Sequence, residues 1–324
     1  MYTVKVQLPM KLTAGIVNYG TYDDVLGCVE SLRRSSRPPD RIVVADNSSN
    51  PAGAARLCKE LGAENVLASP QNRGYAGGGN AIIRAARDSD FILILNPDVR
   101  VSPGFCSELL SAAWEEPRSA ALAGKLLRSD GKTLDSAGVV VTRMGQSRDR
   151  AGGMPDDGRF DSREEVFGAC GAAIFLRREA LEDLCLDGEY FDEDFLIYHE
   201  DVDLCWRARL LGWKVFYVPT AVAFHNRGYK LGQRRGMARF VLGHSFKNHY
   251  LKLCKNLLPG QMWRDGAHLA AWEILRLGYA VLREPSLLAA CARAIRLLPR
   301  ALRKRRQIMK RRRAGYSELA RWFR

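Results

Sequence analysis

Residues 91–95 read Phe-Ile-Leu-Ile-Leu and are followed at once by Asn96-Pro97-Asp98. A strand sends successive side chains to opposite faces, so a run without a polar member has both faces covered. Such strands belong to parallel sheets with helices on each side, which excludes a half-solvated antiparallel meander here. The preceding segments agree. Residues 12–17 form a short apolar strand, 22–34 have helical spacing, and 41–45 form a second buried strand that ends in Asp46-Asn47-Ser48-Ser49. Asn50 can cap a helix that has Pro51 at its first position. Residues 65–68 give a third strand, a glycine-rich loop over 72–79 leads into a helix from Asn80, and Ser102-Pro103 starts another helix.

Beyond residue 125 the pattern changes. Asp130-Gly131 marks a turn, and 143–163 is polar and rich in Gly, Arg and Asp, as expected of a hairpin followed by a mobile loop. Residues 166–176 return as an apolar strand containing Gly168 and Gly171, with further strands expected at 213–218 and 221–224. From about 234 onward the spacing is helical. The expected division is a catalytic domain over 1–230, with halves at about 12–125 and 126–230, and a basic helical region over 231–324.

Ligands of open α/β sheets bind beyond the carboxyl ends of the strands. Asn18, Asp46-Asn47-Ser48 and Asn96-Pro97-Asp98 all lie at such ends. A carboxylate at Asp46 can accept hydrogen bonds from a ribose or base, and alone it is an ordinary Asx turn. Asp98 suits a hard divalent cation that bridges a carboxylate to substrate phosphates, and His225, at a later strand end, can complete the coordination; a Pro-Asp turn and a structural histidine are the plainer readings. The loop Asn72-Arg73-Gly74-Tyr75-Ala76-Gly77-Gly78-Gly79-Asn80 can bring backbone N–H groups to phosphate, or be a plain flexible loop. It matches neither the Walker loop nor Gly-x-Gly-x-x-Gly, so it is no kinase or dehydrogenase signature.

Residues 199–207 read His-Glu-Asp-Val-Asp-Leu-Cys-Trp-Arg. Glu200, Asp201 and Asp203 open a segment whose Leu204, Ala208 and Leu211 share a face, and Asp201 lies on that inward face. Acids in a first turn complement the helix dipole; an inward acid is costly to bury without a task or partner. Trp206 is a candidate for holding sugar or acceptor, and equally for filling the core.

Together these segments resemble the inverting family-2 glycosyltransferases with a GT-A fold, in particular their rhamnosyltransferase-like branch. The matching residues are 14–19 (Ala-Gly-Ile-Val-Asn-Tyr), 43–49 (Val-Val-Ala-Asp-Asn-Ser-Ser), 72–80, 93–98, 168–172 (Gly-Ala-Cys-Gly-Ala) and 198–207. The resemblance covers about residues 12–228. It implies a Rossmann-like, mostly parallel sheet covered by helices, and assigns Asp46 to the nucleotide with Asn18, Asn47, Ser48, Asn72, Gly74, Asn80 and Asn96 nearby. It assigns Asp98 and His225 to Mg²⁺ or Mn²⁺, and Asp201 to the catalytic base with Glu200, Asp203 and Trp206 in support. Where the family has Asp-x-Asp this chain has Asn96-Pro97-Asp98, leaving one carboxylate of the motif for the metal. The implied donor is dTDP-L-rhamnose or a UDP-sugar. The implied acceptor is a saccharide, polyprenyl-linked or free, used in cell-surface polysaccharide assembly. The rivals are a galactosyl, glucosyl or N-acetylhexosaminyl transferase and a non-catalytic nucleotide-sugar-binding protein at a membrane surface.

Charge is segregated. Residues 227–324 hold 24 Lys and Arg against 4 Asp and Glu, whereas the rest of the chain is net acidic. Nine basic side chains lie in 300–313, after helical spacing that interleaves Leu, Ile and Trp with Arg. This pattern predicts basic helices on an anionic membrane surface at the cytoplasmic face. Few aromatics interleave the basic run and no nucleic-acid module is recognisable, so no nucleic-acid partner is expected. Eight scattered cysteines without a Cys-x-x-Cys pair predict reduced thiols in the cytoplasm. The first twelve residues lack a signal-peptide core, and no run is apolar enough to span a bilayer.

Overall fold

A computed structural model of the chain describes residues 10–226 and 234–323. The expected domain boundary near 230 falls outside them. The first half alternates strand and helix as its sequence predicts: β1 (Leu12–Asn18), α1 (Tyr22–Arg33), β2 (Arg41–Asp46), α2 (Pro51–Leu61), β3 (Val66–Ala68), α3 (Gly74–Ala85), β4 (Phe91–Leu95), β5 (Val99–Val101) and α4 (Phe105–Glu115), except that α3 starts at Gly74 instead of Asn80 and β5 is an added strand. Asn50 caps α2, its Oδ1 accepting from the N–H groups of Ala52 and Gly53 at 3.1 and 3.2 Å.

β4 is buried along its whole length. Ile92 and Ile94 enter one core, with Ile174 and Trp206; Phe91, Leu93 and Leu95 enter the other, with Phe105 and Phe175. Each such side chain contributes about 1.5–3 kcal/mol by leaving water. The main sheet is mixed. β4, β1, β2 and β3 are mutually parallel. β11 (Ala173–Arg177) enters antiparallel between β4 and β6 (Ser119–Arg128). With β10 at Glu164–Glu165 and β12 at Lys214–His225, the order across the sheet is β10-β12-β6-β11-β4-β1-β2-β3, with β5 on β12 and β7 (Leu134–Ser136) on β6.

Two strand expectations are corrected. Residues 213–218 and 221–224 form one strand, β12 (Lys214–His225), because a register shift between Val218 and Val222 absorbs the irregularity at Pro219 without breaking pairing to β6. Only 173–177 of the expected strand at 166–176 pairs along the sheet. The Asp130-Gly131 turn does join β6 to β7. The polar stretch after it holds a small hairpin of β8 (Val139–Val141) and β9 (Ser147–Asp149), then β10 (Glu164–Glu165). The buried Lys125 ties that stretch to the body through Asp156, at 2.8 Å, and Asp161.

After β11 come α5 (Arg178–Leu184) and α6 (Glu200–Leu210); after β12 come α7 (Arg234–Asn256), α8 (Pro259–Leu282), α9 (Leu287–Arg311) and α10 (Tyr316–Ala320). The last helices share the core of the sheet. Leu258, Ile308, Leu319 and Phe323 belong to the same cluster as Trp206 and Ile94. The cysteines are free, and no described helix is long and apolar enough to cross a membrane.

The basic run at 300–313 departs from expectation. Arg300 pairs with Asp194, Arg303 with Asp187, and Arg313 with Asp183, at 2.9–3.0 Å. Lys304 is buried against Glu189 and Asp192 at 2.9 and 2.6 Å. Arg305 and Arg311 donate to backbone carbonyls of 254–255 and of 183 and 185. Five of the nine basic side chains therefore strap α9 and the residues just after it onto the acidic segment 183–194, and Arg305 ties α9 to the end of α7. A sequence reading counts these charges but does not see where their partners fold.

Candidate functional site

Three groups of side chains gather at the carboxyl edge of the sheet. The first joins the ends of β1 and β2 to the start of α3. Asn18 is fully buried; its Nδ2 donates to Asp46 Oδ1 at 3.0 Å, and its Oδ1 accepts from Thr21. Ser48 N–H also donates to Asp46 Oδ1, and no described residue bonds Oδ2. Asn47 Nδ2 donates to the Gly74 carbonyl at 2.7 Å, and the Ser48 hydroxyl pairs with that of Tyr22. Asn72 Oδ1 accepts from Gly74 N–H at 2.8 Å. Of the expected nucleotide residues, Asn18, Asp46, Asn47, Ser48, Asn72 and Gly74 are thus one bonded unit in which Asp46 Oδ2 keeps accepting capacity.

The glycine-rich segment is neither a phosphate loop nor a plain flexible one. α3 begins at Gly74, so Gly77, Gly78 and Gly79 are helical and buried. A Cβ on Gly78 would lie 2.8 Å from Val17 and 2.9 Å from Asn47 Nδ2; one on Gly79 would lie 3.0 Å from the Phe191 ring. Close packing of α3 accounts for these glycines, at about 1 kcal/mol of helix propensity each. The Leu196 carbonyl accepts from Ala76 N–H in the first turn. Asn80 is also reassigned. Its Nδ2 donates to the Phe191 carbonyl and Glu193, and its Oδ1 accepts from Tyr190 and Phe191 N–H, so all its bonding capacity holds the loop 190–193.

The second group is Asp98 and His225. β5 and β12 pair so that His225 lies opposite Val99, next to Asp98. His225 Nε2 is 3.3 Å from Asp98 Oδ1, and Nδ1 is 2.7 Å from Asp135 Oδ2. Burial alone would lower the imidazole pKa; the two carboxylates outweigh it and bring it up to about 9. A carboxylate behind a histidine fixes its tautomer and orients the outer nitrogen, the usual support for a metal ligand. Sequence reasoning missed Asp135, which lies in a short strand with no spacing cue to His225. Among the described residues no three His, Cys, Asp or Glu side chains converge as a metal cage. Asp98 and His225 are the residues that would hold a divalent cation here, one carboxylate and one imidazole. Asn96 meets the third group through its backbone N–H, which donates to the Ala172 carbonyl at 2.9 Å.

That third group is the mouth of α6. Gly171 N–H donates to Asp201 Oδ2 at 2.7 Å, and the Gly171 carbonyl accepts from the Tyr75 hydroxyl, so one residue links α3 to α6. The three acids part company here. Asp203 is fully buried, with Lys255 Nζ and Arg207 Nε at 2.8 and 3.0 Å and Asn256 Nδ2 at 2.8 Å from its carboxylate. Glu200 is buried with Oε2 unpartnered, and burial pushes its pKa well above the carboxylate range. Asp201 alone is partly exposed. Burial raises its pKa too, against the hydrogen bonds from Gly171 and Val202. Trp206, a candidate for holding sugar, lies instead in the core between Phe167 and Phe323, with centroids at 5.9 and 5.0 Å. The 3.6-residue spacing that carries Asp201 to the site carries Trp206 away from it.

The entry to α6 is strained. Leu196, Tyr198 and His199 have φ of 64°, 69° and 70°, which costs non-glycine residues about 1–3 kcal/mol each. Asn248 of α7 holds this turn, its Nδ2 within 2.7–2.9 Å of the carbonyls of Phe195, Ile197 and Tyr198. His199 bonds Ser147 and Ser245 at 3.0 and 3.2 Å, and the buried Lys252 donates to the same Ser147 hydroxyl. Burial lowers the Lys252 amine to about 7.

Comparison with known proteins fits this geometry. An N-acetylglucosaminyl-diphospho-decaprenol L-rhamnosyltransferase of Mycobacterium tuberculosis is 29% identical over 225 residues, 63% of this chain and 72% of that protein. The low-salt glycan biosynthesis hexosyltransferase Agl10 of Haloferax volcanii is 24% identical over 256 residues, 77% of this chain and 78% of that one. Among solved structures, S. aureus TarS 1–349 with UDP-GlcNAc superposes with a TM-score of 0.56 at 15% identity, covering 93% of this chain and 88% of that one. The Pyrobaculum calidifontis mannosyltransferase with GDP-Man and Mn²⁺ superposes with a TM-score of 0.53 at 16% identity, covering 93% and 85%. The fold is thus of the GT-A type, with a helical C-terminal region. The family model described as glycosyl transferase family 2 matches residues 13–185, more than half of the chain, and the protein belongs to that family.

Proposed function

We propose that the protein is an inverting, metal-dependent glycosyltransferase that moves L-rhamnose from dTDP-L-rhamnose to a lipid-linked saccharide in surface-polysaccharide synthesis, at the cytoplasmic face of the membrane. The observation that carries the chemistry is the sorting of the three acids at α6. Asp203 is neutralised by two cations, Glu200 is buried, and Asp201 is the partly exposed carboxylate, held by the backbone N–H groups of Gly171 and Val202. Asp201 takes the proton from the acceptor hydroxyl; that oxygen attacks the anomeric carbon as the bond to the diphosphate breaks. One displacement inverts the centre, so no second nucleophilic carboxylate is needed. Burial raises the Asp201 pKa against the hydrogen bonds from Gly171 and Val202, which makes the carboxylate a stronger base. Asp46 receives the nucleoside through its available Oδ2. Asp98 and His225 would hold Mg²⁺ or Mn²⁺, which supplies positive charge to the departing diphosphate. The catalytic unit is residues up to about 230, and the helices beyond it complete its core.

The sugar and the lipid carrier are inferred from the mycobacterial relative, whose name states both an L-rhamnosyl transfer and a decaprenyl diphosphate acceptor. The alternative donors are UDP-sugars, as in the TarS complex. Melting curves with dTDP-rhamnose, UDP-GlcNAc, UDP-Gal and GDP-Man, each with and without Mn²⁺, decide between them, because a ligand bound only to the native state raises Tm. Asp201→Asn should abolish transfer while keeping the donor-induced Tm shift. Full transfer by that variant would remove Asp201 from the mechanism, and no shift with any nucleotide sugar would refute the reading as a whole.

A further inference from the structure

The helix α8 is turned inside out. Its four charged residues all engage the protein: Arg264 pairs with Asp265, Asp265 also with Arg143 at 2.6 Å, Glu273 with His249 at 2.7 Å, and Arg276 lies over the rings of Phe246 and Tyr250. The outward face carries Trp263, Ala267, Ala271, Ile274, Leu277 and Val281 at helical spacing, all exposed, with Trp263 at 91% and Ile274 at 71%. An apolar stripe about 27 Å long, at 1.5 Å per residue, faces away from the body. Soluble surfaces rarely expose contiguous apolar area of this extent without a partner. The stripe continues onto α9. A groove of about 290 Å³ between α8 and α9 is lined by Leu277, Ile295 and Leu298.

Charge selects the partner. α9 contains no Asp or Glu, and Arg283, just past α8, and Arg293 and Arg296 on α9 are exposed. A second copy of this chain would bring arginine against arginine, whereas anionic lipid headgroups complement these side chains. We infer that α8 lies in the plane of an anionic bilayer with Trp263, Ile274 and Val281 inserted below the headgroups. This rests on, and refines, the proposal of a membrane-surface enzyme. The contact is made by the apolar face of α8, six of the nine basic side chains of 300–313 being already bonded within the protein. The placement has a use. A second groove, of about 390 Å³ between α7 and α8, is lined by Leu275, Phe246 and Ser245, and Ser245 bonds His199 at the mouth of α6. A lipid-borne acceptor reaching the protein along α8 would arrive at Ser245, whose hydroxyl bonds His199, two residues before Asp201.

The test is flotation of the purified full chain with phosphatidylcholine vesicles, with and without about one third phosphatidylglycerol, alongside the tryptophan emission. The full chain should float with the anionic vesicles with a blue-shifted emission, and Trp263→Phe should remove most of that shift. Ile274→Glu/Val281→Glu, both on the exposed face, should weaken binding about tenfold or more while leaving the donor-induced Tm shift intact. Binding lost by Arg306→Glu/Lys310→Glu/Arg312→Glu but unchanged by the α8 pair would overturn the α8 assignment and leave the membrane reading in place. A chain that ignores every vesicle and runs as a dimer, broken by the α8 pair, would overturn both in favour of a second copy, with the catalytic proposal untouched.

Discussion

Asp203 and Asp201 are two residues apart, and their substitution should have opposite consequences. In Asp203→Asn the carboxylate charge is removed from between Lys255 and Arg207, all three being no more than 1% exposed. Removing one partner of a buried pair typically costs about 3–5 kcal/mol, because the charge left behind stays desolvated. Lys255 keeps Asp192, and Arg207 keeps the carbonyls of Leu184 and Tyr190, so the loss should fall at the lower end, about 3 kcal/mol. At roughly 2 °C per kcal/mol for a chain of this size, Tm should fall by about 6 °C. Urea unfolding followed by tryptophan emission measures the cost. The double variant Asp203→Asn/Lys255→Met should lose clearly less than the sum of the single changes, since each removes what the other leaves unpaired. Asp201→Asn, by contrast, relieves a desolvated acid and should change stability by less than about 1 kcal/mol. A cost below about 1 kcal/mol for Asp203→Asn, the value of an exposed pair, would refute the buried-lock reasoning.

Asp135→Asn should raise the Mn²⁺ concentration needed for half-maximal transfer by about 10–100-fold with little change in donor binding without metal, as titration of activity against Mn²⁺ would reveal. Asn248→Ala removes three bonds from the left-handed turn before α6 and should cost about 2–4 kcal/mol along with most of the activity; normal transfer in a destabilised variant would show that the turn does not position Asp201. Burial alone would raise the pKa of Asp192, but Lys255 and Lys304 outweigh it and hold it well below the usual carboxylate range. Its stabilisation is therefore present above its ordinary value near 4 and is lost as pH falls through the folded value. Melting curves from pH 6 to pH 3 should show a drop in Tm that Asp192→Asn, already destabilised, does not repeat.

The first half of the fold is readable because β1, β2 and β4 are apolar on both faces and α2 carries its own cap; those three strands fall within a residue or two of expectation, whereas α3 begins six residues before its expected start because its glycines pack instead of looping. The second half resists because its strands are set by tertiary pairing. Nothing local to 213–225 distinguishes two strands from one with a bulge. Asp201, Asp98 and His225 are visible because strand ends and helix mouths are where ligand chemistry collects. Asn80, Asp203 and Trp206 share motifs with site residues, but Asn80 is spent on the loop 190–193 and helical periodicity turns Asp203 and Trp206 inward. Asp135, Asn248 and Lys252 are reached only through contacts spanning 50 to 90 residues, which no motif spacing encodes.

The strap of α9 on residues 183–194 also bears on time. A ribosome emits a chain at about 5–20 residues per second, and amino-terminal parts fold first. Here the segment leading into α6 is closed by Lys255 and Lys304, which emerge roughly fifty and a hundred residues after it. The half that carries Asp46 can fold early, but until those lysines arrive Asp192 lacks its two lysine counterions and Asp203 has only Arg207 in a forming core. Competence for transfer is therefore acquired late in synthesis, after the site's own residues have been made. Nascent chains arrested before Lys304 should remain open to protease between 183 and 207.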